Sequence, residues 1–102
     1  MRARPIGKKD ALLRLGDSYF VTSQYWPAME NYNAAIDLGG DNDYAQFQKA
    51  ISYGFVDRSE KKIEELIAFI KKYHKSVYRD DALYELGNTY VAQNRTNEAI
   101  SA

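Results

Sequence analysis

The segment LGDSYFVTSQYWPAM, beginning at Leu15, and the segment LGNTYVAQNRTNEAI, beginning at Leu86, repeat one another within a chain of 102 residues. Gly16 and Gly87 stand 71 residues apart (87 − 16), and the same offset carries Asp10 to Asp81, Ala11 to Ala82, Leu12 to Leu83, Leu15 to Leu86, Tyr19 to Tyr90 and Ala28 to Ala99. That offset divides into 34 (53 − 19) and 37 (90 − 53), which locates a middle copy at Tyr53, with Ala50 standing where the flanking copies have glycine. A period in the mid-thirties is a strong constraint. Each unit is a supersecondary element that cannot bury its own apolar face, so neighbouring units must stack to make one core.

The spacing inside each unit is helical. Leu12, Leu15, Gly16, Tyr19 and Phe20 form one helix face, and Ala28, Met29, Tyr32, Ala35 and Ile36 form a second after a short break. Pro27 suits the first turn of that second helix, where a missing amide hydrogen costs nothing, and Gly39-Gly40 suits its left-handed end. The same logic predicts a third helix through Tyr44, Phe47, Ile51 and Phe55, capped by the Asp41-Asn42-Asp43 cluster. A fourth runs through Ile63, Leu66, Ile67, Ile70 and Tyr73, capped by Asp57 or Ser59; a fifth opens at Asp80-Asp81 and carries Ala82, Leu83, Leu86, Tyr90 and Val91. A short sixth is expected after Thr96, with Ala99 and Ile100. The fold class is therefore all-α, one domain over 1–102 with units at about 9–42, 43–79 and a truncated 80–102. Glycine inside a helix costs about 1 kcal/mol relative to alanine, so Gly16 and Gly87 are expected where a neighbouring helix comes close, with the tyrosines mostly in the core.

Composition narrows the rest. Fourteen basic and fourteen acidic residues cancel, leaving no overall field to draw the chain to nucleic acid or an anionic membrane. The absence of cysteine removes thiolate chemistry and Cys-based metal sites, and no apolar run approaches the roughly 20 residues of a membrane span. No cofactor, nucleic-acid partner or membrane insertion is expected.

The pattern of Leu15, Gly16, Tyr19, Ala28, Tyr32 and Ala35, taken up again by Leu86, Gly87, Tyr90 and Ala99, resembles the tetratricopeptide repeat over nearly the whole chain. The resemblance implies a right-handed superhelical stack of antiparallel helix pairs, about 2.5 repeats, that binds a peptide or partner protein without catalysis. The stretch IKKYHKSVYRDDALYELGNTYVAQ is similar to the longer units of bacterial envelope proteins, such as the cell-division coordinator beside the Tol-Pal system and outer-membrane assembly lipoproteins, which implies a periplasmic or outer-membrane-associated setting. In that family the first helices of successive pairs line a concave groove. Carried across, the groove would present Leu13, Asp17 and Phe20, then Tyr44, Phe47, Gln48 and Ile51, then Asp81, Tyr84, Glu85 and Asn88. Members that clamp acidic tails need Lys, Asn and Arg at places held here by Leu13, Asp17, Asp81 and Glu85. The expected ligand therefore has apolar anchors and some Lys or Arg, which the carboxylates can receive.

Other readings are weaker. Gly16-Asp17-Ser18 is similar to the nucleophile block of GDS-type esterases, but that family places Asp three residues before its catalytic His, and here Lys71 precedes the sole His74. Ser18 also falls within a helical stripe instead of an exposed turn, so no enzyme is expected. The basic run Lys71, Lys72, His74, Lys75 and Arg79 is too local for nucleic acid, and one His without Cys defines no metal geometry. A purely structural spacer within a larger repeat protein is the remaining alternative. Because a sixth helix of about six residues is marginal, the chain is expected to be a piece of a longer protein. Its last pair should expose Leu83, Tyr90 and Ile100 and favour a homodimer through that end.

Overall fold

A computed structural model describes the backbone of residues 6–101 and the side chains of residues 6–95. Five helices follow one another: α1 Lys8–Val21, α2 Tyr25–Asp37, α3 Asp43–Phe55, α4 Ser59–Lys72 and α5 Arg79–Ser101, with no strand among the described residues. Each helix packs on the next in the chain. The result is a linear array, with a radius of gyration of 15.6 Å against the roughly 13 Å of a compact chain of this length. Two apolar clusters hold it. Ala28, Tyr32 and Ala45 join α2 to α3, with Leu13, Tyr19 and Phe20 of α1 packed against them; Ala50, Leu66, Phe69 and Ala82 join α3, α4 and α5.

The turns repeat as the helices do. Ser23 between α1 and α2 and Asp57 between α3 and α4 both have left-handed backbone, with φ of 62° and 61°. They stand 34 residues apart (57 − 23), the spacing that relates the first two units. The following amide hydrogens, of Gln24 and Arg58, donate to the carbonyls of Tyr19 and Tyr53 at 2.8 and 2.9 Å. These bonds satisfy helix-end carbonyls that would otherwise be orphaned. Gly39 and Gly40 take the left-handed conformation after α2, at φ 81° and 80°, as their sequence predicts.

Gly16 is buried, and a Cβ built there would lie 2.7 Å from Cε1 of Tyr32. The missing methyl admits the Tyr32 ring, itself fully buried. In the second unit the equivalent pair is Ala50 and Leu66, both completely buried in one cluster. Alanine now fills the space that the slimmer leucine leaves. The exchange continues one turn on, where Phe20 and Ala28 become Gly54 and Lys62: a Cβ on Gly54 would lie 2.7 Å from the Lys62 stem, so the glycine makes the channel through which Lys62 crosses. The irregular look of the middle unit is a swap of large for small across one interface, which conserves volume.

Three expectations are corrected. No sixth helix is separate, because α5 continues for 23 residues to Ser101. Glu98 stands where the first unit has Pro27, and Asn94 where the earlier units have Ser23 and Asp57, so nothing between them forbids helix; the side chains of Ala99 and Ile100 lie outside the described residues. Gly87 does not meet a neighbour: nothing lies within 4 Å of a Cβ placed on it. Tyr90 is exposed, as expected of the last pair. Finally, the expected caps form only in part: Asp43 Oδ1 accepts the amide hydrogen of Tyr44 at 2.8 Å in the first turn of α3. Asn42 and Arg58 hold the cap positions of α3 and α4 without side-chain cap bonds. The Asn42 amide instead donates back to the carbonyl of Ile36, while Asp43 Oδ2 accepts from Ser76 Oγ at 2.8 Å and ties the α4–α5 loop to the start of α3.

The two glycines should therefore respond oppositely to one methyl group. Gly16→Ala is expected to lower stability by about 1–3 kcal/mol through overpacking against a ring that cannot move aside, and Gly87→Ala to raise it by about 0.5–1 kcal/mol through helix propensity alone. Urea-unfolding midpoints of both variants measure the difference, and equal responses would refute the distinction.

Candidate interaction surface

The residues expected to line a groove divide by what already occupies them. Asp17 is the focus on α1: its Oδ1 accepts the hydroxyl of Tyr32 from α2 at 2.6 Å and that of Tyr44 from α3 at 2.7 Å. Two phenols thus converge on one carboxylate oxygen and clasp three helices, in the short range expected of charge-assisted bonds. Tyr44 also lies edge-on to Tyr32 and tilted against Tyr78, and the Gln48 amide reaches its hydroxyl at 3.4 Å. Leu13 and Phe20 pack on the Ala28–Tyr32–Ala45 cluster, and Ile51 packs on the Ala50–Leu66 cluster. Phe47 stacks on Tyr78 with ring centres 5.4 Å apart. All seven of these α1 and α3 residues are half-buried, so the array presents their edges instead of whole side chains.

On α5 the position is different. Glu85 is engaged, since its Oε2 pairs with Lys62 Nζ at 2.9 Å, and the pair fastens α5 to α4. Asp81, Tyr84 and Asn88 are exposed. The repeat offset shows why. Leu12, Leu13, Gly16, Tyr19 and Phe20 of α1 are all buried or half-buried, and their counterparts on α5 are Leu83, Tyr84, Gly87, Tyr90 and Val91, every one exposed. Relative accessibility reaches 70% at Tyr84, 48% at Val91, 45% at Tyr90 and 42% at Leu83. The opposite side of the same helices shows the reverse: Ala82 and Leu86 are covered by the α4 cluster, while Ala11 and Leu15 of α1 are open. Exposure of Leu83 and Tyr90 is what the sequence leads one to expect of the last pair, and Tyr84, Gly87 and Val91 extend the face.

Two hollows and one aromatic cluster complete the surface. A cleft of about 600 Å³ between the α3–α4 turn and α5 is lined by Gly54, Ser59, Glu60, Lys62, Asn88, Thr89, Ala92 and Gln93. A smaller hollow of about 290 Å³ has Asp41, Asp43, Lys72, His74 and Lys75 among its lining residues, a mixture of charges without a single sign. At the turn end of the array, Phe20, Tyr25 and Phe55 group together, Tyr25 and Phe55 stacked at 4.7 Å. Beside them Trp26 meets Tyr53 edge-on and carries the Arg58 guanidinium 6.0 Å from its ring centre. Helical periodicity alone did not predict this cluster, because its members come from helix ends and turns.

Ser18 lies exposed in the last turn of α1, and His74 exposed in the loop before α5. Among the described residues no group of His, Cys, Asp and Glu is arranged to hold a metal ion, and no helix is long and apolar enough to cross a membrane. No known family model matches the chain, and no curated protein is similar to it.

The clasp has a pH signature. Burial, and then the hydrogen bond to Asp17, push the Tyr44 hydroxyl from 10.0 up to about 12, and the same causes raise Tyr32 further. In the unfolded chain both phenols ionise near 10.0, so folding holds protons that the unfolded chain releases above that pH. The stabilisation is complete below pH 10 and drains away as pH rises through about 12. Urea midpoints should fall over that window together with the appearance of phenolate absorbance, and the fall should be shallower in Asp17→Asn; an unchanged slope would refute the clasp.

Proposed function

We propose that the chain is a protein-interaction module of the tetratricopeptide type, a TPR-like superhelical stack that holds a segment of a partner protein or peptide and performs no catalysis. The observation that carries this reading is the uncovered side of α5. Leu83, Tyr84, Tyr90 and Val91 form a contiguous apolar and aromatic strip on a rigid helix, the composition from which binding anchors are drawn. Its acidic neighbours, Asp80 and Asp81 in the first turn of α5, are exposed and suit a partner with Lys or Arg beside its apolar anchors. The α1 and α3 residues Asp17, Phe20, Tyr44, Phe47, Gln48 and Ile51 are half-buried between helices and offer a partner only their edges. A spacer segment would have its aromatic face covered by its own chain or by a flanking repeat; among the described residues the strip on α5 is open. Zero net charge offers nothing to a polyanion, so the partner is protein.

The test is a titration of the full chain with synthetic peptides bearing Leu and Tyr anchors with Lys, and with the same peptides bearing Glu in place of Lys, followed by amide chemical shifts. Saturable shifts at Asp81, Tyr84 and Asn88, stronger for the Lys series, are expected. Tyr84→Ala should weaken binding about tenfold, the loss of one aromatic anchor. Absence of saturable shifts on α5 with either series would sink the proposal.

A further inference from the structure

We propose that the uncovered side of α5 is a socket for one antiparallel amphipathic helix of a partner protein, which carries an aromatic residue over Gly87 and a Lys or Arg at its C-terminal end. This rests on the interaction-module reading and specifies the ligand.

The template lies within the chain. On α1 the equivalent side receives α2, which brings Ala28, Tyr32 and Ala35, all fully buried, and lays the Tyr32 ring in the space over Gly16. The two completed units show which partner goes with which floor: glycine faces tyrosine in the first, alanine faces leucine in the second. Gly87 restores the glycine floor, so the side chain that fits it is an aromatic ring. Asn88 stands where Asp17 accepts the Tyr32 hydroxyl, and its amide oxygen is an acceptor for a phenol at the same place. The open side also adjoins the established α4–α5 interface through Leu86, so a helix laid there extends an existing core.

Charge then separates the ligand from α2 itself. Lys9 in the first turn of α1 grips the chain leaving α2, donating to the carbonyls of Gly39 at 2.7 Å and Asp41 at 2.8 Å. The counterpart of Lys9 on α5 is Asp80 (80 − 9 = 71), exposed and next to Asp81. A carboxylate cannot donate to the carbonyl end of an incoming helix and repels it. It needs a cation from that helix, and the last turn is also where the helix dipole favours Lys or Arg. The last turn of α2 has none. The socket therefore keeps the apolar selectivity of the α1–α2 contact and inverts its electrostatics.

The experiment uses the full chain and two synthetic peptides: residues 25–41 as they stand, and the same peptide with Asp37→Lys and Asp41→Lys. Fluorescence anisotropy should show the basic-ended peptide binding about threefold to fivefold tighter, the size of an exposed ion pair aided by the dipole. Asp80→Lys in the protein should reverse the order, and Gly87→Leu, on an exposed helix position that tolerates a side chain, should abolish both. The socket is overturned by peptides that bind with no dependence on Asp80, or by binding that survives Gly87→Leu and so lies elsewhere. If sedimentation velocity shows the unliganded chain to be a dimer that Gly87→Leu dissociates, a second copy fills the socket and the basic-ended partner is refuted. If the Lys-bearing peptides of the preceding test bind α5 and these helices do not, the interaction module stands and the socket alone falls.

Discussion

The array depends on how near two helices can come where Gly16 meets the Tyr32 ring. That separation seats Tyr32 deep enough for its hydroxyl to reach Asp17, and the same carboxylate oxygen is then available to Tyr44. One omitted methyl thus aligns α1 with α2, and α2 with α3. The second unit solves the same problem with other residues, Ala50 with Leu66 and Gly54 with Lys62, and the Lys62 ammonium ends on Glu85 of α5. Apolar fit sets each spacing, while a polar side chain reaching one helix further passes the alignment on.

Much of this was legible in the amino-acid order. The four helices from Lys8 to Lys72 follow from apolar spacing, and the glycine pair after α2 from the left-handed backbone that glycine adopts readily. Gly16 was identified correctly because a helical glycine signals close approach. Gly87 carries the same signal and has no neighbour, since residue type records what a position suits, not what stands beside it. The break expected near Thr96 failed for a related reason. Asn94 tolerates the left-handed turn made by Ser23 and Asp57, yet tolerance is not compulsion, and here the helix continues through it.

The candidate surface was less legible than the fold. Asp17, Tyr44 and Gln48 carry polar atoms that a sequence pattern assigns to a solvent-facing groove, whereas Asp17 accepts the hydroxyls of Tyr32 and Tyr44 across 15 and 27 residues of chain. Phe47 is shared between Tyr78 and Phe69, contacts that come from the loop before α5 and from α4. Only the placement of neighbouring helices decides which aromatic is a wall and which is an anchor. Tyr84 and Leu13 occupy the same beat of the repeat; one is exposed and the other half-covered because α2 lies over α1.

The paired turns at Ser23 and Asp57 bear on how the chain acquires its structure. Each closes a helix hairpin over a three-residue connection, and each helix packs chiefly on its immediate successor in the chain. Loops this short cost little entropy to close, so folding of such a chain is fast and can start in any hairpin, spreading to the next as docking surface becomes available. The order of events is set by whichever hairpin is locally strongest, and not by the meeting of distant segments.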